Sequence, residues 1–488
     1  MAESIVSTTS GGYRGVHVDG VHSFLGMRYG SDTRSVRFRP ASPALPHDGI
    51  ADALAFGPAA LQFDSRLLPA ASRTGPSALY FPRGQQTEGM PVSEDCLTLN
   101  VWTPTVEPGA RLPVMVWFHG GAFRVGSAAA SVTHGANLAA TGRAVIVTVN
   151  HRLGIPGFLA LGHLLGDDYA QSGVAGLTDL VLALEWVAEN AASFGGDPGN
   201  VTIFGQSGGG GKVHALLRSA RAHGLFQRAI MQSGAGDVLS PEAGIEQTDR
   251  ILGAAGVTAR ELIDCDPSLL LHAQSVLSGD GFAPSPVADG DVVDPTAALD
   301  PVPVLIGHTT HDWSFLIAEA PWYAALSENG IADALAPLNP TADSAVVADY
   351  RARYPDESAQ LLYSRIATDL TFGNTAGARA GELVTAGSPV YRYEFGYPEL
   401  DWPVPLGATH CIEVPFVFDT VDWSRIAGDR PDRFDLAREV SGAWLAFAET
   451  GVPVLPHGTT WPRYVEGTAS TVFIDAPEWS VVTSAPNS

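Results

Sequence analysis

Continuous apolar runs alternate with helical patterns through the chain, and this alternation predicts an α/β fold. Residues 112–118 (LPVMVWF) and 144–149 (AVIVTV) are almost entirely apolar. Runs of this length without polar alternation are typical of strands covered on both faces, as in a parallel sheet flanked by helices. Residues 302–306 and 390–395 predict further strands of the same sheet.

A helical pattern lies between the second of these runs and the next strand, residues 201–204 (VTIF). Its apolar positions fall on one helix face: Leu180, Leu184, Val187 and Ala191. Residues 195–198 (GGDP) end it with turn chemistry. Strand, helix and strand in this order predict a right-handed crossover within an α/β domain. A later helix is predicted from Phe434 to Thr450, followed by Gly451.

Two stretches interrupt this rhythm, at about 240–300 and 318–385, where Ala, Asp, Pro and Ser are frequent. We interpret them as helical excursions that cover the functional site. The chain has no internal repeat and no linker long enough to separate independent domains. We therefore predict one α/β domain over residues 1–488, with a large, mostly parallel central sheet flanked by helices.

The charge balance narrows the possible partners. The 488 residues include 28 Lys and Arg against 52 Asp and Glu, which gives a net charge of −24, and Lys212 is the only lysine. An acidic surface repels phosphate backbones and anionic lipids, so we expect neither a nucleic acid nor a membrane as partner. Hydrophobic residues make up 45% of the chain, enough for a large core.

The cysteines and the first residues bear on localisation. Cys96, Cys265 and Cys411 are widely spaced and form no CxxC pair, which fits neither a disulfide framework nor a zinc site. The opening residues lack the basic and apolar regions of a secretory signal. No stretch approaches the roughly 18 apolar residues that cross a bilayer. We expect a cytoplasmic protein with reduced thiols and no metal.

A G-x-S-x-G sequence at residues 205–209 (GQSGG) follows the predicted strand 201–204 and precedes a helix-compatible segment, 212–217. Such a strand-to-helix turn needs small flanking residues and lifts the serine hydroxyl out of the sheet, at the positive end of the next helix. Ser207 is therefore a candidate nucleophile. The alternative is an ordinary glycine-rich turn without a catalytic role.

The same glycines invite a second alternative, a phosphate-binding loop ending at Gly211 and Lys212. That motif requires glycine at position 206 and Ser or Thr at position 213. The chain has Gln206 and Val213, so this alternative fails at two positions.

A small-residue loop, residues 119–123 (HGGAF), directly follows the predicted strand 112–118. Acyl transfer builds negative charge on the carbonyl oxygen, and such a loop can direct bare backbone N–H groups at it. A tight strand-to-helix turn is the alternative interpretation.

A nucleophilic serine needs a base, and the base needs an orienting carboxylate. Asp312 lies in residues 307–315 (GHTTHDWSF) and His410 in residues 407–415 (GATHCIEVP), each after a predicted strand. The order Ser207, Asp312, His410 is the order expected of an α/β-hydrolase triad.

The chain resembles the type-B carboxylesterase family, the α/β-hydrolases that include the cholinesterases. The matching segments follow the family's order nearly from end to end: residues 37–40 (RFRP), 94–101 (EDCLTLNV), 119–123, 149–154 (VNHRLG), 194–198 (FGGDP) through Ser207, 232–234 (QSG), 307–315, 410–418 and 461–464 (WPRY).

The resemblance implies Ser207 as nucleophile, His410 as base and Asp312 as acid. The family usually has Glu at the position of Asp312, so the shorter carboxylate must lie closer to the imidazole. His311 and Glu413 are the neighbouring alternatives, and we interpret Glu413, one helical turn past His410, as a structural partner rather than the acid.

The resemblance also implies roles around the triad. The oxyanion hole would be formed by the N–H groups of Gly121, Ala122 and Gly208, and Ser233 would support the acid. From the residues alone, six aromatic side chains are candidates for lining an apolar acyl or alcohol pocket, although each is also a plausible core or lid residue: Phe123, Trp313, Phe315, Trp322, Tyr323 and Phe372.

Three structural features follow from the same resemblance. Two ion pairs are implied, Arg37 with Glu94 and Arg152 with Asp179. Secreted members form a disulfide between the position of Cys96 and an upstream cysteine. This chain has no cysteine before Cys96, which favours a location in the cytoplasm.

We thus expect a serine carboxylesterase that hydrolyses small-molecule carboxylic esters through an acyl-enzyme intermediate, without a cofactor. An amide, carbamate or lactone as the natural bond remains an alternative, as does a non-catalytic binding protein on the same fold. The oligomeric state is not predicted.

Overall fold

The computed structural model describes residues 2–62, 91–234, 236–278, 284–397, 402–465 and 470–483. They divide into two compact units. The first contains the described residues up to 231 and those from 236 to 302. The second contains residues 232–234 and the described residues from 303 onwards. The prediction of a single domain over 1–488 stays a prediction.

The first unit is built on a mixed sheet in the order β1-β2-β3-β7-β9-β8-β10-β11. From β1 to β9 in this order, each strand pairs antiparallel with the next one. Strand β8 pairs parallel with both β9 and β10. The bounds are β1 Ala2–Thr8, β2 Gly11–Val18, β3 Val21–Arg28, β4 Ile50–Asp52, β5 Ala59–Ala60, β6 Val92–Ser93, β7 Thr98–Thr103, β8 Leu112–Phe118, β9 Val145–Val149, β10 Gly196–Gln206 and β11 Arg228–Gln232.

Helices flank this sheet, and the longer ones follow the predicted pattern. Their bounds are α1 Ala136–Ala140, α2 Gly154–Phe158, α3 Gly162–Leu165, α4 Ala175–Asn190, α5 Gly208–Leu216, α6 Pro241–Ala255, α7 Ala259–Asp264 and α8 Pro267–Ser278. Helix α4 is the predicted crossover helix. It is buried on almost every face rather than along one stripe, and Glu185 is one of its few exposed positions.

The second unit carries a smaller sheet in the order β12-β13-β14-β15, parallel except for the last pair. Its strands are β12 Val304–Thr309, β13 Val390–Phe395, β14 Ser470–Ile474 and β15 Ser480–Thr483. Its helices are α9 Asp312–Ile317, α10 Pro321–Ala324, α11 Ile331–Leu335, α12 Ser344–Arg353, α13 Ala359–Thr368, α14 Asn374–Thr385, α15 Val414–Val417 and α16 Arg433–Thr450. A π-helical turn, Asp369–Gly373, joins α13 to α14.

Both excursions are helical, as predicted. The first consists of α6, α7 and α8 and packs on α2 through an apolar cluster that includes Ile155, Leu159, Ile251, Leu262 and Leu270. Residues 279–283 of this excursion lie outside the described residues. That the excursions cover the functional site stays a prediction.

The predicted α/β class is confirmed, and so are the strands over 112–118 and 390–395. The turn before β10 lies earlier in the chain than the predicted residues 195–198. Residues 191–194 form a 3-10 turn, Gly195 takes a left-handed φ of 74°, and the strand already begins at Gly196. The strand predicted over 302–306 begins and ends later, at Val304 and Thr309.

Two buried ion pairs stabilise the first unit, and both were implied by the resemblance. The guanidinium of Arg37 donates to both oxygens of Glu94, at 2.6 and 2.5 Å. That of Arg152 donates to both oxygens of Asp179, at 2.8 and 2.7 Å. Bidentate geometry offsets the cost of burying these charges.

Candidate active site

The candidate nucleophile lies at a sharp turn between a strand and a helix. Ser207 separates the end of β10 from the start of α5, with φ 57° and ψ −126°, a conformation that non-glycine residues rarely adopt. Its flanks have no room for side chains: a Cβ built on Gly209 would lie 2.1 Å from the carbonyl oxygen of Phe118. The turn leaves Ser207 half-buried while its neighbours are buried.

The predicted oxyanion loop turns left-handed at three consecutive residues. Gly121, Ala122 and Phe123 have φ values of 95°, 50° and 58°. Only glycine adopts such values without steric cost. The turn is closed by the N–H groups of Arg124 and Val125, which donate to the carbonyl of Gly121 at 3.0 and 3.1 Å.

This loop and the serine turn pack backbone against backbone. A Cβ built on Gly208 would lie 3.1 Å from the backbone nitrogen of Ala122, and one built on Gly120 would lie 3.3 Å from the Cβ of Ser207. Among the residues that the structure describes, none accepts a hydrogen bond from the N–H groups of Gly121, Ala122 or Gly208. Three backbone donors beside a serine are what an oxyanion hole requires.

The candidate acid and base are joined in the second unit. Nδ1 of His410 lies 2.5 Å from Oδ1 of Asp312, and both side chains are buried. The other oxygen of Asp312 accepts hydrogen bonds from the hydroxyl of Ser233 and the backbone N–H of Thr309, each at 2.9 Å. Because a carboxylate only accepts, the imidazole carries its proton on Nδ1 and presents Nε2 as an acceptor.

The connection between β12 and α9 positions Asp312. It is the first residue of α9, three residues after β12 ends. The supporting bond from Ser233 agrees with the role that the resemblance implied. Thr309 is a second supporting donor that sequence reasoning missed, because a backbone N–H leaves no signal in the residue type.

Aromatic rings surround the imidazole. The ring centroids of Phe372 and Phe315 lie 5.1 and 5.9 Å from that of His410. Trp313 contacts Phe372 edge to face at 6.4 Å. Three of the predicted pocket residues therefore lie around the candidate base: Phe315 and Phe372 beside its ring, and Trp313 on Phe372.

Phe123, another predicted pocket residue, lies in the first unit. Only 3% of its surface is exposed, and its ring packs edge to face on Phe158 at 5.2 Å. A place in a substrate pocket stays a prediction for all six aromatic residues.

The alternative acids have other partners. Glu413 is fully buried and accepts a hydrogen bond from the side-chain amide of Gln232 at 3.4 Å, and Gln232 in turn accepts from the indole of Trp444. Burial, reinforced by the nearby charge of Asp312, raises the pKa of Glu413 to about 7. A buried carboxyl that ionises less readily than usual is less suited to supply the orienting charge than to a structural role.

His311 takes part in a separate polar cluster. Its Nε2 lies 3.3 Å from Oε1 of Glu357, which also binds the guanidinium of Arg365 at 2.6 Å. Its Nδ1 lies 2.8 Å from the hydroxyl of Thr310. The histidine next to Asp312 in sequence is thus committed elsewhere, and Asp312 orients His410.

Within each unit, the structure therefore assembles one half of the predicted site. The first unit joins Ser207 to the three backbone donors, and the second joins Asp312 to His410 and Ser233. The contact between Ser207 and His410 stays a prediction.

The oxyanion loop has one further anchor that sequence reasoning missed. The side-chain amide of Gln62 donates to the carbonyl of Gly126 at 2.9 Å and accepts from its N–H at 3.0 Å. The signal is absent from the sequence because the two residues are far apart and Gln62 belongs to no motif.

In the part of the chain that the structure describes, no group of three or more His, Cys, Asp or Glu side chains is placed to hold a metal ion. None of the described helices has the length and apolar character needed to span a bilayer.

Comparison with known proteins gives consistent results. The profile of the Carboxylesterase family matches residues 2–483. Para-nitrobenzyl esterase of Bacillus subtilis is 34% identical over 98% of this chain and 96% of its own length. Phenmedipham hydrolase of Pseudarthrobacter oxydans is 32% identical over 94% of this chain and 92% of its own.

A solved structure agrees over the same extent. The carboxylesterase of Geobacillus stearothermophilus, determined at pH 6.2, is similar with a TM-score of 0.83 and 34% identity, covering 98% of this chain and 97% of that one.

Proposed function

The chain belongs to the carboxylesterase family, and from this we propose that it hydrolyses small-molecule carboxylic esters through a serine acyl-enzyme. Membership makes the chain a carboxylic ester hydrolase with the α/β-hydrolase fold. The observation that carries the proposed mechanism is the buried hydrogen bond between His410 and Asp312.

In the first half of the proposed reaction, Nε2 of His410 takes the proton of the Ser207 hydroxyl as its oxygen attacks the ester carbonyl. Asp312 stabilises the imidazolium that forms and holds its ring in the orientation required. The alcohol leaves after His410 returns the proton to its oxygen, and the acyl group remains on Ser207.

In the second half, water takes the place of the alcohol. His410 removes a proton from the water, the hydroxide oxygen attacks the acyl carbon, and Ser207 leaves with the proton returned by His410. The carboxylic acid is released, and the enzyme is restored. These steps need only the side chains named here.

In both halves the carbonyl oxygen becomes an anion. The N–H groups of Gly121, Ala122 and Gly208 would bind it, and a single donor of this kind lowers the barrier by about 3–4 kcal/mol. Their lack of acceptors among the described residues supports this assignment. The left-handed loop has a steric cost, which a preorganised site offsets because the donors need not move during the reaction.

The aspartate in place of the usual glutamate fits this mechanism. Asp312 begins a helix three residues after its strand and reaches Nδ1 of His410 directly. Ser233 and Thr309 donate to its second oxygen and so fix the orientation of the carboxylate. This support compensates for the shorter side chain.

The names of the relatives give two starting substrates. One relative is a para-nitrobenzyl esterase and another a phenmedipham hydrolase. We propose para-nitrobenzyl and para-nitrophenyl esters as first substrates, with carbamates, amides and lactones as the comparison set. A location in the cytoplasm remains part of the proposal.

The decisive experiment is Ser207→Ala. We expect kcat for para-nitrophenyl acetate to fall by about 10⁶, as for serine hydrolases that lose the nucleophile. We also expect a fluorophosphonate to add one group to the wild type, at Ser207, and none to the variant. Ser275→Ala, at a half-buried serine whose hydroxyl donates to the carbonyl of His272, is the matched control. Undiminished turnover by a folded Ser207→Ala protein would contradict the proposal.

A further inference from the structure

The only lysine of the chain is buried beside the candidate oxyanion hole. Lys212 lies on α5, the helix that begins at Gly208, and its side chain has no exposed surface. The mechanism proposed above does not use it. A surface of such acidity offers many carboxylates to a lysine, yet this one lies in the interior.

Lys212 contacts both ends of the oxyanion loop. Its Nζ donates to the carbonyl oxygen of His119 at 2.8 Å and lies 5.3 Å from the centroid of the Phe123 ring. These two residues flank Gly120, Gly121 and Ala122. The carbonyl of Phe123 is in turn held by the N–H of Gly154 at 2.7 Å.

The groups that face Lys212 do not neutralise it. The imidazoles of His119 and His151 stack with their centroids 4.8 Å apart, and each ring donates through Nδ1 to a carbonyl, that of Gly120 or Arg152. Burial and then the neighbouring Lys212 lower the pKa of His119 to about 3, so this ring is neutral at pH 7. No ion pair among the described residues includes Lys212.

A buried ammonium without a carboxylate is costly. Burial accordingly lowers the pKa of Lys212 to about 7. An apolar side chain of the same length would avoid this cost. The cost points to a role in function rather than in stability.

We propose that Lys212 is a positioning residue that ties the oxyanion loop to the helix carrying Gly208, and so sets the three donors relative to one another. The proposal rests on the proposed function. The hydrogen bond to the carbonyl of His119 orients the peptide plane just before Gly120. The contact with the Phe123 ring holds the other side of the left-handed turn.

Because α5 begins at Gly208, its backbone supplies one donor while its lysine holds the loop that supplies the other two. A shift of the loop away from the serine turn would separate donors that must converge on one oxygen. The ground-state ester makes weaker use of these donors than the oxyanion does. Lys212 should therefore act on kcat rather than on KM.

The test is Lys212→Met, which preserves length and removes the donor. We expect kcat per titrated active site to fall about 10- to 100-fold, less than the loss of a whole oxyanion donor, with KM changed less than twofold. The affinity of a trifluoromethyl ketone, whose adduct carries an oxyanion, should fall by the same factor. The affinity of the product alcohol should not change. Leu216→Met, also buried on α5, is the matched control.

Phe123→Leu supplies a second variant. It should lower kcat in the same direction, and its effect should be smaller when Lys212 is already Met, because the two contacts act on one loop. An unchanged kcat per active site in folded Lys212→Met, or equal losses of ketone and alcohol affinity, would overturn the inference. A wild type without ester turnover would instead overturn the proposed function, so the two failures are distinguishable.

Discussion

Nδ1 of His410 and Oδ1 of Asp312 are joined by a 2.5 Å hydrogen bond in the second unit, and Asp312 has no exposed surface. The remaining oxygen of Asp312 is occupied by Ser233 and the Thr309 N–H. The carboxylate is thus held by three donors, and its orientation is determined before any substrate binds. The other carboxylates near it in sequence and space have different partners.

Asp312→Asn should lower kcat by about 10⁴ while the protein remains folded. The amide can donate to Nδ1, which favours the tautomer with the proton on Nε2 and removes the acceptor that Ser207 requires. Steady-state kinetics with para-nitrophenyl acetate measure the loss.

His311→Gln and Glu413→Gln are the controls for this choice of acid. Each should retain kcat within about tenfold, because His311 faces Glu357 and Glu413 faces Gln232. A loss of about 10⁴ in either control, with Asp312→Asn active, would show that the acid is wrongly assigned.

Gly209→Ala should abolish ester turnover or prevent folding. The added Cβ would lie 2.1 Å from the carbonyl oxygen of Phe118, and both atoms belong to backbone that cannot give way cheaply. Expression level, circular dichroism and kcat report the outcome.

Gly381→Ala is the matched glycine substitution for that experiment. Its Cβ would meet nothing within 4 Å in α14, so we expect the free energy of unfolding to rise by about 0.5–1 kcal/mol. A Gly209→Ala enzyme as active and as stable as the wild type would contradict the close approach of the serine turn to β8.

Glu413→Gln should change how stability depends on pH. Burial raises the pKa of Glu413 to about 7 in the folded chain, above its ordinary value of 4.5. Between these two values the folded state keeps a proton that the unfolded state releases, so this group lowers the stability of the wild type as pH rises. Glutamine does not titrate.

Between pH 4.5 and 8, the free energy of unfolding of the variant should therefore rise by about 3 kcal/mol relative to that of the wild type. Urea unfolding at pH 4.5, 6 and 8 measures the difference. Glu449→Gln, at the end of α16, serves as the control acid. A difference between Glu413→Gln and the wild type that is the same at all three pH values would mean that Glu413 is already ionised in the folded protein.

Local pattern was sufficient for much of the fold. Strand β8 has the predicted bounds because its continuous apolar run needs burial on both faces. Strand β13 also has the predicted bounds, although the partly buried Arg392 and Glu394 interrupt its apolar residues. Helix α16 ends at Gly451 with φ 78°, as its glycine signal predicted. Strands β1 to β3 were not predicted. Their burial alternates or is partial, and short alternating strands give a weak signal until their partners are known.

The same division holds for the site. Ser207 and the loop 119–123 carry motifs because each function requires particular residue types at adjacent positions. Gln62, Thr309 and Lys212 act through contacts with residues remote in sequence or through the backbone. A histidine next to an aspartate, such as His311, cannot be distinguished from a histidine about a hundred residues away without coordinates.

The amino-acid sequence by itself determined the family, the α/β class, the candidate nucleophile and the small residues that leave its surroundings open. These depend on local chemistry: a sharp turn favours small residues, and a strand buried on both faces favours apolar side chains. Only the tertiary structure decided which carboxylate is hydrogen-bonded to His410, that burial raises the pKa of Glu413, and that the sole lysine donates to the loop beside Ser207. Those outcomes depend on distance and burial, which chain order does not specify.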